Sequence, residues 1–352
     1  MLFPAIGAGA VLVVGGWAML PRPRSTRLMS IFLVCLVILS LVTPWTVIRP
    51  AFAPPRLTSP ANAAATVRGR ELIYGNVARL LGVSVDRTSV APEGRLKVRA
   101  CWEALAPMEE NYTVFVHLVG RDDTRVAERH TYPGLGRFPT SLWPVGQAFC
   151  DVYRIRVEDW APAPELYDLV VGLYEASTGE RLDVHDAEGN LVKFPTVAQV
   201  RVAPRPPLAK LPDDAHPLDY RLGERITLVG YRLSGTTLQS NAPLTVTLYW
   251  RANARPARNY TVFVHLVDET GRLLAQHDGP PRYGRYPTLA WQAGDVIPDQ
   301  HVLMVPSLPL EQRGELRLVT GMYCSDTMER LPVADSNGAL PEWLIPLPFS
   351  IP

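Results

Sequence analysis

His117 and His265 sit at the same place in a nine-residue string, Asn-Tyr-Thr-Val-Phe-Val-His-Leu-Val, that occurs at 111–119 and again at 259–267. An imidazole there offers a metal ligand or an acid–base group. No second ligand accompanies either histidine at a fixed offset. The simpler reading is therefore a histidine packed in a sheet, its nitrogens satisfied by neighbouring backbone.

A second duplicated segment is Arg137-Phe138-Pro139-Thr140-Ser141-Leu142-Trp143, matched by Arg285-Tyr286-Pro287-Thr288-Leu289-Ala290-Trp291, with Tyr132 and Tyr283 just upstream. Aromatic faces stack on the C–H groups of sugar rings while Arg bonds hydroxyls, which makes Tyr132, Arg137, Phe138, Trp143, Tyr283, Arg285, Tyr286 and Trp291 the candidate ligand-binding set. The competing reading has these aromatics fold back and plug the end of the domain. Asp151 and Asp299, with Arg181 and Arg330, are also duplicated and are expected to form ion pairs that fix loop geometry. Asn111-Tyr112-Thr113 and Asn259-Tyr260-Thr261 match the glycosylation acceptor pattern.

Other chemistries find little support. There is no G-x-S-x-G elbow, no H-E-x-x-H and no phosphate-cradling glycine loop, so no catalytic residue is assigned. Asp122-Asp123 lies in a turn whose counterpart differs. The four cysteines include no C-x-x-C pair, so neither a structural zinc nor any other cofactor is expected. Cys101 and Cys150 are placed on outward strand faces, where a disulfide specific to the first copy is one alternative and free thiols the other, and Cys324 has no evident partner.

The elements that must position these residues come in two sets. At a spacing of 148, Gly75 matches Gly223, Leu96 matches Leu244, Trp102 matches Trp250 and Gly146 matches Gly294. After one inserted residue, Gly172-Leu173-Tyr174 answers Gly321-Met322-Tyr323 and Arg181-Leu182 answers Arg330-Leu331. So many collinear matches indicate an internal repeat. Leu96, Val98, Ala100 and Trp102 alternate with polar residues at the period of a half-buried strand. Further strands are expected near Leu80–Val85, Phe149–Val157, Leu166–Tyr174 and Val197–Val202. Thirty-four prolines leave long helices little room outside the first segment. The fold class expected is all-β: two tandem antiparallel β-sandwiches, Ig-like or jelly-roll, at 70–203 and 218–352 with a linker at 204–217.

Leu2–Leu20 and Leu28–Ile48 carry no charge, and each is long enough to cross a bilayer as a helix. The three arginines between them place that loop in the cytoplasm and the rest outside, giving a transmembrane helical hairpin over 1–48 in a multi-pass cell-membrane protein. A cleaved export signal ending near Ala51-Phe52-Ala53 is the alternative for the second run. A proline-rich linker, 49–69, then leads outward as an extended spacer. The formal charge of +1 gives no case for nucleic acid.

The string Ile48-Arg49-Pro50-Ala51-Phe52-Ala53-Pro54-Pro55, with N-Y-T-V-F-V-H-L, [FY]-P-T-x-x-W-x-x-G and G-x-Y-x-x-x-x-x-E-R-L, resembles the C-terminal region of family 39-like membrane glycosyltransferases of the protein O-mannosyltransferase type. The resemblance implies an extracytoplasmic β-module. The catalytic acid of such enzymes lies in an early loop between membrane helices that has no counterpart here, so no catalytic residue carries over. The function expected is a membrane-anchored, non-catalytic module that binds a glycan, a glycosylated surface partner or a membrane glycosyltransferase. The alternatives are a structural spacer and a fragment of an active lipid-linked-sugar glycosyltransferase.

Overall fold

The computed structural model describes residues 22–51, 53–204, 208, 210–235, 239–307, 316–340 and 343–349. The first of the two expected membrane helices lies outside them. The second is present. Helix α1 (Arg22–Thr43) runs on through a wider turn at Pro44–Ile48, and Ser30–Ile48 is long and apolar enough to cross a membrane. Among the described residues none of that span is buried. A single helix of this kind is what the described residues contain.

The linker departs from expectation. Rather than staying extended, it turns into a short helix, α2 (Pro60–Ala64), capped by Ser59, whose hydroxyl accepts from the Asn62 N–H. Thr58 pairs with Ala148 through two backbone hydrogen bonds of 2.8 and 2.9 Å. Ala63 and Val67 then bury against Leu81 and Cys101. Docked apolar side chains outweigh the spacer tendency of the prolines before them, so only about nine residues, 49–57, lie between the apolar span ending at Ile48 and the sandwich, the first three of them still helical.

Ten strands follow before the central hinge. They are β1 (Leu72–Tyr74), β2 (Ala78–Val85), β3 (Ser89–Val90), β4 (Arg95–Ala104) and β5 (Tyr112–Val119). Next come β6 (Arg125–Thr131), β7 (Ala148–Arg156), β8 (Glu165–Glu175), β9 (Val184–His185) and β10 (Thr196–Val202). One sheet has the order β7-β4-β2-β1-β9 and the other β3-β10-β8-β5-β6. Pairing is antiparallel except between β3 and β10. The inward residues Leu80, Val98, Trp102 and Tyr153 of the first sheet meet Val114, Val116, Leu169 and Val171 of the second in one core. This is a β-sandwich, as strand alternation requires when one face of each sheet is apolar.

The second sandwich contains β11 (His216–Leu222), β12 (Ile226–Leu233), β13 (Pro243–Ala252), β14 (Thr261–Val267) and β15 (Leu273–Gly279). It is completed by β16 (Val296–Met304), β17 (Arg317–Tyr323), β18 (Val333–Asp335), β19 (Gly338–Ala339) and β20 (Ile345–Pro346). Its sheets run β16-β13-β12-β11-β18-β19 and β15-β14-β17-β20. That order repeats the first sandwich, except that β19 extends the first sheet and, among the described residues, the second sheet has no counterpart of β3. Trp250 and Trp291 fill the place of Trp102 and Trp143 in the second core.

Cys101 and Cys150, paired across β4 and β7, form a disulfide. Of the two alternatives the sequence leaves open, the structure has the bridge, and on the outward faces expected. The outer face of β4 is covered by α2, which buries Cys101, and the strand register sets the two residues directly opposite each other. Cys324 is a free, buried thiol.

Candidate functional site

The aromatic loops come first because the sequence points to them. Each begins with two consecutive residues in the left-handed backbone region, Gly134-Leu135 in one sandwich and Arg282-Tyr283 in the other. That conformation exposes a backbone N–H, and an aspartate takes it. Gly134 N–H donates to Asp151 Oδ2 at 2.7 Å, and Arg282 N–H to Asp299 Oδ1 at 2.6 Å. The duplicated aspartates therefore fix loop geometry through backbone, correcting the expected pairing with Arg181 and Arg330. Further along, the Thr140 hydroxyl donates to Glu110 O and accepts from Tyr112 N–H, as Thr288 does with Arg258 O and Tyr260 N–H. Asn111 and Asn259 accept from Ser141 and Leu289 N–H, which accounts for both duplicated motifs without glycosylation.

The loop aromatics are mostly enclosed. Trp143 is 5% exposed and Trp291 0%, with Phe138 and Tyr286 equally buried. Each indole N–H donates back into its own loop, to Phe138 O and Tyr286 O at 3.0 Å. Only Tyr132 and Tyr283, at 41% and 55%, face solvent. No ring pair in these loops presents an open platform, because the ring area buried is worth more inside the sandwich than in water.

The two arginines diverge. Arg137 Nε donates to Gly134 O within its own loop. Arg285 instead pairs with Asp122 of the first sandwich at 3.1 Å, and its carbonyl accepts from Leu166 N–H. Around it lies the junction between the sandwiches. Arg201, at the end of β10, donates to Ser89 Oγ, Tyr286 Oη, Gln292 Oε1 and Asp295. Arg282 lies 3.8 Å from Glu165, whose carboxyl is pushed upward by burial and pulled back by Arg282 and Arg285.

A different constellation occupies the outer face of the β5/β8 sheet. Phe115 lies over Gly172, where a Cβ would run into the ring, and the Arg181 guanidinium covers the ring at 4.6 Å. Phe263, Gly321 and Arg330 repeat the arrangement at 5.1 Å. The duplicated G-x-Y-x-x-x-x-x-E-R-L string is thus explained by a guanidinium–ring stack. Beside the ring, His117 Nε2 meets His130 Nε2 at 2.9 Å, and His130 Nδ1 meets Tyr174 Oη at 3.1 Å. Glu128 Oε2 lies 3.8 Å from His130 Nε2. Burial, then Arg125 and His130, lowers the His117 pKa to about 4, so this imidazole is neutral at physiological pH. No partner lies at a fixed offset along the strand of His117, as expected. His130 and Glu128 reach it across the β5–β6 hairpin, a proximity set by register rather than by a fixed offset along one strand. In the second sandwich His265 Nε2 lies 2.9 Å from Asp278 Oδ1.

Next to that face the second sandwich carries a groove of about 680 Å³, lined by His265, Leu273, Arg317, Val319, Arg330 and Leu340, among others. Asp168 stands at the strand position that Arg317 occupies, and the Gln199 amide of β10 donates to it. There β10 has 7 residues and its counterpart β20 has 2, and Leu340, Leu344 and Pro346 around β20 line the groove.

A last cluster lies inside the second sandwich. His277 Nδ1 meets His301 Nδ1 at 2.8 Å, and His301 Nε2 meets Asp299 Oδ2 at 2.9 Å. Trp250 Nε1 donates to the same oxygen at 3.3 Å. Tyr153 stands where His301 does in the first sandwich, so this chain belongs to one copy.

No family model and no curated protein matches the chain. Solved structures give distant likenesses. A β-glucuronidase 2 of Bacteroides uniformis aligns with 69% of this chain and 26% of its own, at 10% identity and a TM-score of 0.22. A glycosyl hydrolase family 2 member from Bacteroides cellulosilyticus DSM 14838 aligns with 69% and 28%, also at 10% identity and TM-score 0.22. The chain spans about a quarter of the length of these proteins.

Proposed function

We propose that this protein is a membrane-anchored, extracytoplasmic accessory module without catalytic activity, which binds a glycan or a glycosylated partner through the groove of its second sandwich. The carrying observation is that groove. Its volume falls in the range of small-molecule sites, and it combines apolar walls with a few convergent polar groups. Two guanidinium groups, Arg317 and Arg330, select for anionic oxygens, since planar bidentate pairing suits carboxylates. The ligand class is therefore a sugar bearing a carboxylate, such as a uronic-acid oligosaccharide, whose ring C–H faces meet Leu273, Val319 and Leu340. Calorimetry on the whole chain in nanodiscs with oligo-uronides tests this. Binding that disappears in Arg317→Gln supports the reading, and no heat at millimolar ligand removes it.

The span at Ser30–Ile48 supports the anchor, and the nine-residue connection holds the sandwiches close to the bilayer. A second reading, a rigid spacer with no small ligand, is favoured by the enclosed Trp143 and Trp291 and by the buried junction around Arg201. The motif resemblance adds a membrane glycosyltransferase as the associated protein, and co-purification from native membranes tests that association.

A further inference from the structure

We propose that His117, Glu128 and His130 form a zinc-binding site on the outer face of the first sandwich. Their ligating atoms all lie within 4.8 Å of one another. Two imidazoles bound to a tetrahedral zinc at about 2.05 Å place their nitrogens about 3.3 Å apart. The observed 2.9 Å between the two Nε2 atoms needs to open by only a few tenths of an ångström. The backbone already holds the set in register. His117 is directly opposite Glu128, and Phe115 opposite His130, on paired strands of one hairpin.

The surroundings have the second half of a metal site as well. Tyr174 Oη bonds His130 Nδ1 at 3.1 Å and so aims Nε2 at His117. Partners of this kind orient metal-bound histidines and are worth 10–100-fold in affinity. His117 is buried, whereas His130 and Glu128 are exposed at 38% and 54% of their side chains, which leaves a solvent-facing position for a fourth ligand. One competitor is visible. Arg125 Nη1 donates to Glu128 Oε2 at 2.7 Å, and that half-exposed guanidinium must swing aside for the carboxylate to close on a cation.

The second sandwich is an internal control. Opposite His265 stands Gln276, and at the position of His130 stands Asp278, so only one imidazole and one carboxylate remain. Imidazole-rich sets favour zinc, copper and nickel, and losing one of the two imidazoles weakens such a site.

The test uses the full, untagged chain in nanodiscs, stripped with chelator and titrated with Zn²⁺ alone. The expected result is one equivalent bound at micromolar zinc and a raised thermal midpoint. His130→Gln and Glu128→Gln, both at exposed positions that leave the fold intact, each abolish that equivalent. Tyr174→Phe weakens it about tenfold, and Arg125→Gln strengthens it. His277→Gln leaves it unchanged, which separates this site from the other histidine pair. No saturable zinc at 100 µM on a folded chain, or an equivalent that survives His130→Gln, overturns the proposal and leaves an imidazole–imidazole hydrogen bond in its place.

Discussion

The two sandwiches share strand order, core tryptophans and loop anchors, yet they use the same loop against different neighbours. In the first, the loop around Gly134 lies against Pro55 of the linker, and its aromatic is Phe138. In the second, the loop receives the end of the first sandwich, and its aromatic is Tyr286, whose hydroxyl joins Arg201 and Asp295. Each loop is a socket for the segment that precedes it, dry where that segment is proline-rich and polar where it is an arginine. A single hydroxyl marks the change of use. The outer sheet faces diverge in the opposite sense, with two histidines and a glutamate in the first and an arginine-lined groove in the second.

The junction offers the largest effect. Arg201→Met leaves Asp295 buried without its cation, and breaking such a pair costs about 3–5 kcal/mol. Thermal unfolding should split into two transitions, with the second sandwich melting earlier. In the first sandwich Gln147 stands at the position of Asp295, so Gln147→Ala should shift its melting far less.

The disulfide breaks the symmetry the other way. A loop closed over 49 residues contributes about 2–4 kcal/mol, so Cys101→Ala with Cys150→Ala should lower the first transition alone. Loop anchoring comes next. Asp151→Ala and Asp299→Ala each remove a charge-assisted hydrogen bond worth about 1.5–3 kcal/mol. Asp299 should cost more in denaturant titrations, because His301 and Trp250 lose a partner with it.

The smallest effect is a pH dependence. In chelator, unfolded His117 takes up a proton near 6.5 and the folded residue only near 4. Between those values the unfolded chain binds more protons, so stability present above 6.5 is lost progressively as pH falls toward 4. His117→Gln should flatten that part of the curve in guanidinium titrations. An unchanged slope would show that His117 is charged in the folded state.

Much of this was legible in the residues. Alternation placed β4 and β13, and the duplicated strings placed both loops and the Asp anchors. What stayed hidden depends on register between strands. His130 faces His117 only because the β5–β6 hairpin pairs residues whose numbers sum to 245, a relation the Asp122-Asp123 turn hints at. Cys101 meets Cys150 across β4 and β7, which are not neighbours in the chain, so spacing carries no trace of it. The aromatic loops allowed either an open platform or a plug, and the buried rings agree with the plug, which sequence favours because loop aromatics must bury somewhere. Burial of Trp143 and Trp291 follows from tertiary packing, and the groove gathers Arg317 of β17, His265 of β14 and Arg330 from separate parts of the chain.

The claim that recognition lies on the outer sheet face, with the loops serving as joints, is tested most directly by oligo-uronide calorimetry on four variants in nanodiscs. Binding should be lost in Arg317→Gln and Arg330→Gln and retained in Tyr132→Ala and Tyr283→Ala, the exposed loop aromatics. Loss in the tyrosine variants with retention in the arginine variants would return the site to the loops and contradict the account.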